Sequence, residues 1–191
     1  MSEDILNELN KFKNTYYSEN KKAVIFNKKG QKYDIAKEVL TKFDINILLQ
    51  KTAYIIPNTN KLFVNYQIFK QFAHPENYEL FVKFVQNKIP HIIDKYGSFE
   101  CHIDIDTFTV SAAERYKGVI EVFCHDVFDI SFTKYLTYIY VYNVPSMIDK
   151  ISILLFKLID KETKDKIKLV SKSDSIQIIP GFKKYSFRTE L

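Results

Sequence analysis

The sequence predicts an α/β fold in which a mixed, mostly parallel sheet is flanked by helices. Hydrophobic residues make up 46% of the chain and charged residues 27%, which is typical of a globular protein. A strictly alternating segment, 99–106, precedes a helical segment and then a run of aromatic and β-branched residues, 135–144. Because strand–helix–strand connections are right-handed crossovers, this order predicts parallel pairing of the two strands.

The first part of the chain is predicted to be mainly helical. Apolar residues recur at spacings of three and four over residues 2–17, which indicates an amphipathic helix. A short strand is expected at 23–26, closing on a turn at Gly30, and a second helix from Asp34 to Phe43. We therefore divide the 191 residues into an N-terminal helical region, 1–50, and a main domain, 51–191.

The main domain opens with a strand and a long helix. Leu62-Phe63-Val64 begins a β-rich run that we expect to continue to Ile68. Pro75 suits the first turn of a helix, Pro90 is expected to kink or restart that helix, and Gly97 to end it.

The central and C-terminal elements follow from periodicity and capping. Ser111 with Glu114 is a capping box that predicts the start of a helix. After Pro145, residues 147–159 form a helix that is apolar almost all round, so it must be buried on both sides or face a lipid or bilayer. Asp160 is expected to begin a short helix, and 167–170 and 176–179 are expected to be edge strands.

Charge and glycine content disfavour several classes of function. Only two of the 28 basic residues are arginine, and the lysines are dispersed, so we do not expect nucleic-acid binding. Four glycines leave no Gly-rich phosphate loop. The polar start of the chain and the lack of an apolar run of about 18 residues predict a cytoplasmic protein.

One polar constellation leaves a catalytic alternative open. His102, Asp104 and Asp106 share one face of a predicted strand and are candidates for a metal or acid–base site. A phosphatase-like Asp-x-Asp-x-Thr signature would need threonine where Phe108 stands. Cys101 and Cys124 are interpreted as reduced core residues. Because these signals are weak, we expect the protein not to be an enzyme and to have no catalytic residue, cofactor or metal.

Residues 61–170 resemble a CRAL-TRIO domain, a family of lipid-binding proteins. The resemblance depends on the strand at 62–64, the helix ending at Gly97, and the apolar strand Cys101-His102-Ile103-Asp104. Its most specific part is the turn Asn143-Val144-Pro145, followed by an apolar helix and then by Leu158-Ile159-Asp160, Thr163 and Lys166-Ile167.

The resemblance implies non-enzymatic binding or transfer of a lipid, such as a phospholipid, or of another small hydrophobic ligand. Residues 146–159 would be the gating helix over an apolar pocket, and the protein would associate peripherally and transiently with a membrane surface. The side chains implied to close the pocket are Ile151, Leu154, Leu155 and Leu158. Tyr138 and Tyr140, with Tyr142, or the residues that alternate with them, would form its floor.

Two positions refine what the resemblance implies. Lys166 matches the lysine that contacts phosphate in members that bind phosphoinositides, although a solvated lysine is an equal interpretation. Thr107 stands where the family usually has glycine. The alternative function is a protein-interaction or membrane-recruiting module that keeps the fold without a ligand cavity.

Overall fold

A computed structural model describes residues 2–20, 28–126 and 130–186. Its strands are β1 (Ala53–Ile55), β2 (Lys61–Asn65), β3 (Phe99–Asp104), β4 (Leu136–Tyr142) and β5 (Ile167–Leu169). Its helices are α1 (Ser2–Glu19), α2 (Lys28–Lys42), α3 (Ile45–Thr52), α4 (Tyr66–Phe72), α5 (Tyr78–Gln86), α6 (Ile89–Tyr96), α7 (Val110–Asp126), α8 (Ile130–Thr133), α9 (Ile148–Leu155), α10 (Lys161–Asp165) and α11 (Lys172–Lys183). Single 3-10 turns occupy Pro75–Asn77 and Phe156–Leu158.

The five strands form one sheet in the order β1-β2-β3-β4-β5. β1 runs antiparallel to β2, and the other neighbouring strands are parallel. The predicted class, a mixed and mostly parallel sheet flanked by helices, is confirmed. The crossover from β3 through α7 to β4 is the strand–helix–strand unit that the alternation indicated.

The larger hydrophobic core lies on one face of the sheet. Alternate strand positions point into it, as Leu62 and Val64 do from β2 and Cys101 does from β3. Helices from both parts of the chain cover this face, and the buried side chains of Leu9 and Leu48 belong to the same cluster as the strands. The N-terminal helices are therefore packed on the sheet.

The opposite face carries a smaller cluster beneath α11. Phe63 and Tyr142 from the sheet pack there against Ile179 and Phe182. Residues 176–179, predicted as an edge strand, are helical because Ser175, Ile179 and Phe182 share one helical face that is turned toward the sheet. Their β-branched side chains favour a strand locally, so the sequence predicted one. The burial of one helical face against the sheet outweighs that preference.

Helix starts differ from the predictions where an unnoticed residue supplies the cap. The strand at 62–64 ends at Asn65, whose side chain accepts a hydrogen bond from the Gln67 N–H, so the run to Ile68 becomes α4. α7 begins one residue before Ser111, and the Thr109 hydroxyl accepts from the Ala112 N–H at 3.1 Å. α2 already includes Gly30. The strand predicted at 23–26 lies outside the described residues.

Several predicted boundaries are confirmed. Pro75 opens a 3-10 turn that leads into α5, and Pro90 stands in the first turn of α6. Gly97 ends α6 with φ 72°, the left-handed conformation that glycine adopts without strain. Asp160 caps α10 by accepting from the Thr163 N–H at 2.9 Å.

The backbone conformation and hydrogen bonds of Asn143 explain why asparagine begins the Asn-x-Pro turn. Asn143 has φ 56°, a conformation that asparagine tolerates better than most residues. Its amide nitrogen Nδ2 donates to Asp104 Oδ1 at 2.7 Å, and its backbone N–H donates to Ser175 Oγ at 2.8 Å. The turn therefore ties the end of β4 to β3 and to α11.

Candidate ligand-binding site

An apolar cavity of about 210 Å³ lies between the main core face of the sheet and the helices α7 and α9. Carbon-rich side chains line it almost completely, Ser152 being its one hydroxyl outside the tyrosines. The remaining lining residues are Val64, Tyr66, Phe69, Phe81, Ile103, Ile105, Phe108, Tyr116, Val119, Ile120, Phe123, Cys124, Ile139, Val141, Ile148, Ile151, Leu155, Phe156, Ile159, Ile167 and Leu169.

The alternation of side chains along parallel strands makes the floor apolar. Ile103 of β3, Val141 of β4 and Leu169 of β5 are register partners in neighbouring strands, so their side chains share one face. Space of this kind stays dry because it offers a water molecule too few polar partners. The site can therefore hold hydrocarbon, and its described lining contains no carboxylate, histidine or lysine.

The cavity opens between the end of α9 and the edge strand β5. Phe156 and Leu169 both line the cavity, yet 37% and 48% of their surfaces are exposed. Side chains that are shared between a cavity and solvent mark its mouth. An apolar ligand can therefore reach the floor past β5 without crossing the sheet.

α9 is the wall nearest this mouth, and most of its residues are partly or largely exposed. Ile151 is its one fully buried residue, whereas Ile153 is 65% exposed. Met147 occupies the N-cap position and supplies no side-chain hydrogen bond to the helix start. The segment predicted as one helix over 146–159 is thus an eight-residue helix followed by a 3-10 turn.

The structure brings two of the residues predicted to bind ligand to the cavity. Ile151 and Leu155 line it, while Leu154 and Leu158 are half-buried outside its lining. Tyr138 and Tyr140 point to the opposite face, where the Tyr140 ring stacks on His102 with centroids 5.0 Å apart. The floor is formed by the alternates, of which Ile139 and Val141 are the β4 members.

Lys166 lies at the start of β5, outside the cavity lining. Its Nζ donates to the backbone oxygen of Thr133 at 2.7 Å and to Glu162 Oε1 at 2.9 Å. The ammonium group is thus already paired with a carboxylate and a carbonyl. A phosphate that bound here would have to compete with Glu162.

Sequence reasoning missed the aromatic part of the cavity wall. Tyr66 and Phe69 belong to α4, which was interpreted as a continuation of a strand. Tyr116, Ile120 and Phe123 recur at spacings of four and three, and this stripe on α7 was the signal available.

The polar constellation of β3 belongs to the opposite face and is fully engaged there. His102 Nδ1 lies 2.9 Å from the Tyr142 hydroxyl, and its Nε2 lies 3.1 Å from Glu100 Oε2. Burial lowers the pKa of His102 to about 4, against the opposing effect of Glu100. Asp104 is completely buried, with Oδ2 2.7 Å from Lys183 Nζ.

These groups do not converge on a site for a reaction. Asp106 accepts a hydrogen bond from Gln67 at 2.7 Å, away from the His102 ring. No group of three or more His, Cys, Asp and Glu residues suited to a metal ion occurs within residues 2–20, 28–126 and 130–186. Burial also raises the pKa of Cys101 and Cys124 to about 12, so both are protonated thiols at neutral pH.

Within the described part of the chain, no helix is both long enough and apolar enough to cross a membrane. No family model and no curated protein sequence matches the chain. Among solved structures, the crystal structure of Sfh5, a CRAL-TRIO protein of the Sec14 family, is similar at a TM-score of 0.53 and 17% identity. The match covers 76% of this chain and 55% of the Sfh5 chain, so this chain spans about half of that protein. The fold is therefore CRAL-TRIO-like.

Proposed function

We propose that the protein binds one small hydrophobic ligand, such as a lipid, in the cavity beneath α9 and performs no covalent chemistry on it. The observation that carries the proposal is an apolar cavity of about 210 Å³ that opens to solvent beside an exposed apolar helix. The likeness to Sfh5 supports a fold suited to lipid binding.

The size of the cavity limits what it accepts in the described conformation. An engineered cavity of about 150 Å³ binds benzene, whereas pockets for drug-sized ligands span about 300–1,000 Å³. At about 210 Å³ the space suits a small apolar molecule or part of an acyl chain. A whole phospholipid therefore requires α9 to move outward.

We assign the gating role to α9 and the 3-10 turn that follows it. Each methylene moved from water into the cavity contributes about 0.8 kcal/mol, so uptake of an acyl chain can offset the loss of the contacts of Ile151 and Leu155. When α9 is open, its apolar surface needs another partner, and a membrane interface supplies one. Transient, peripheral membrane contact is thus part of the proposal.

The alternative module without a cavity is less well supported, because the aromatic rings around the site leave space unfilled. The roles of Leu154, Leu158, Tyr138, Tyr140 and Lys166 stay predictions, as do the cytoplasmic location and the division at residue 50.

Filling the cavity tests the proposal. Leu155→Trp places an indole in the space that the ligand would occupy, and Leu80→Trp, at an exposed position outside the cavity, is the matched control. Parinaric acid, a fluorescent fatty acid, should bind the wild-type protein and Leu80→Trp with one-to-one stoichiometry. Binding to Leu155→Trp should be at least about tenfold weaker, the loss expected when two or more methylenes cannot be buried.

Native mass spectrometry of the purified protein supplies a second measurement. A bound lipid that is present in the wild-type protein and absent from Leu155→Trp supports the cavity as its site. Equal binding of parinaric acid by all three proteins would overturn the proposal, because the probe would then sit elsewhere.

A further inference from the structure

Four basic side chains from four helices meet at the end of the fold where β2 and β3 finish. Lys13 comes from α1, Lys32 from α2, Lys70 from α4 and Arg115 from α7. All four are half-buried. They are close enough for the charges of the other three to act on Lys13, and these charges, after burial, lower the pKa of Lys13 to about 7. We call these four residues the basic cluster.

The basic cluster is held in place by neutral groups. Lys13 Nζ donates to Gln71 Oε1 at 2.8 Å, and Lys70 Nζ donates to Thr107 Oγ1 at 2.7 Å. Arg115 Nε is buried and has no hydrogen-bond partner among residues 2–20, 28–126 and 130–186. A buried donor that is left unpaired is destabilising, so the Arg115 guanidinium is not fully satisfied by these residues.

Carboxylates balance only part of this charge. Asp106 and Asp104 both favour the charged form of Lys70, and Asp106 also accepts a hydrogen bond from Gln67. Asp34 and Glu38 of α2 act on the hydroxyl of Tyr16.

Aromatic rings form the base of the basic cluster. Lys70 Nζ lies 5.6 Å from the Tyr66 ring centroid, and Arg115 Cζ lies 5.6 Å from that of Tyr116. The Tyr116 hydroxyl also donates to the backbone oxygen of Lys70 at 3.5 Å. Both rings belong to the wall of the apolar cavity, so they separate the cavity from the cations.

We propose that the basic cluster binds a phosphate group, with the Arg115 guanidinium and the ammonium groups of Lys13, Lys32 and Lys70 as its ligands. A phosphate monoester carries about two negative charges and several strong acceptor oxygens, so it balances converging cations better than one carboxylate. Arginine offers it several N–H donors in one planar group, which a phosphate can engage in pairs. This site does not depend on the proposed function, because its ligands lie outside the apolar cavity.

Phosphate binding also explains how Lys13 can remain half-buried beside other cations. A bound dianion favours the charged form of Lys13, so binding at pH 8 should draw a proton onto its Nζ. A purely structural cluster would show no such uptake.

The test compares inorganic phosphate with chloride at equal ionic strength on the full chain. The wild-type protein should bind phosphate saturably by calorimetry, with net proton uptake at pH 8, and phosphate should raise its Tm more than chloride does. Arg115→Gln should bind at least about tenfold more weakly, because it loses a charge-assisted, two-pronged interaction. Lys83→Gln, at an exposed lysine of α5 that lies 3.9 Å from Glu79, is the matched control and should bind like wild type.

Lys13→Met keeps the test decisive where Arg115→Gln does not fold. It removes like-charge repulsion and also the donor to Gln71 Oε1, two opposing effects, so its Tm without phosphate should lie near that of wild type, yet it should lose the phosphate response. Equal Tm shifts with chloride and phosphate, or undiminished binding by Lys13→Met, would overturn the proposal.

Vesicles identify the source of the phosphate. Phosphatidylcholine vesicles containing phosphatidic acid should bind the protein through the basic cluster if the group is a lipid headgroup, and inorganic phosphate should compete. Binding of inorganic phosphate without vesicle binding supports a soluble phosphate ester. Leu155→Trp separates the two proposals, since it should abolish parinaric acid binding and leave phosphate binding unchanged.

Discussion

At the scale of single residues, strain and burial are concentrated around the end of β3. Thr107 has φ 62°, a conformation that is strained for a β-branched side chain. Its hydroxyl accepts the hydrogen bond from Lys70 at 2.7 Å, so the strained residue also positions a member of the basic cluster. The resemblance places glycine at this position in CRAL-TRIO domains, which agrees with the backbone geometry.

Thr107→Gly should therefore stabilise the fold by about 1 kcal/mol, since relief of strain exceeds the loss of one exposed hydrogen bond. Urea unfolding followed by circular dichroism measures the change. Thr109→Gly is the control, and it should destabilise because the Thr109 hydroxyl caps α7. A less stable Thr107→Gly variant would mean that the bond to Lys70 outweighs the backbone strain.

The buried His102 predicts a pH dependence of stability. Its pKa is about 4 in the folded protein and near 6.5 when unfolded, because burial, together with the charge of Lys61, disfavours the charged ring despite Glu100. Between these values the unfolded chain binds the extra proton, so stability is complete above pH 6.5 and falls as the pH drops toward 4. The free energy of unfolding that is lost once the pH is below both pKa values is about 3 kcal/mol.

His102→Gln should remove this part of the acid sensitivity, and the difference between it and wild type is measured by urea unfolding from pH 7 to pH 4. His91→Gln, at an exposed position of α6, is the control and should follow the wild-type curve. Parallel curves for His102→Gln and wild type would place the acid-sensitive group elsewhere.

At the scale of elements, the fold was predictable where periodicity was unambiguous. The alternation in β3 and the apolar run of β4 identified two parallel strands and their crossover. α4 and α11 were missed because their β-branched and aromatic residues favour strands locally, and their helical form depends on caps and tertiary burial. The two tyrosines assigned to the pocket lie on the opposite face, since register alone decides which of two alternating sets faces the cavity.

α9 carries a prediction about membrane contact. Ile153 is 65% exposed, so Ile153→Asp should leave the folded protein intact while placing a charge on the proposed docking surface. We expect co-sedimentation with phosphatidylcholine vesicles to fall several-fold, since an apolar membrane interface favours an isoleucine side chain and disfavours a carboxylate.

Ile176→Asp is the matched control for this variant. Ile176 is 71% exposed on α11, on the other side of the sheet, and should be replaceable without loss of vesicle binding. Equal vesicle binding by both variants would show that α9 does not dock on the membrane.

At the scale of the whole molecule, ligand binding and stability are linked. A ligand that binds only the folded protein stabilises it by mass action, by about 2.7 kcal/mol when present at a hundred times its Kd. Extraction with organic solvent and refolding should therefore lower the Tm by about 5–10 °C for a chain of this size, and parinaric acid should restore it. The Tm of Leu155→Trp should be unaffected by either step, as followed by differential scanning calorimetry.

The tyrosine wall formed by Tyr66 and Tyr116 has one more consequence. Its two sides belong to different environments, hydrocarbon on one and positive charge on the other, and neither ring can shift without disturbing both. Thermodynamic linkage is reciprocal, so any factor by which an acyl chain tightens the hold on phosphate must equal the factor by which phosphate tightens the hold on the chain. Through these two rings, binding of an acyl chain in the apolar cavity would then change the affinity of the basic cluster for phosphate, and phosphate would change the affinity for the chain.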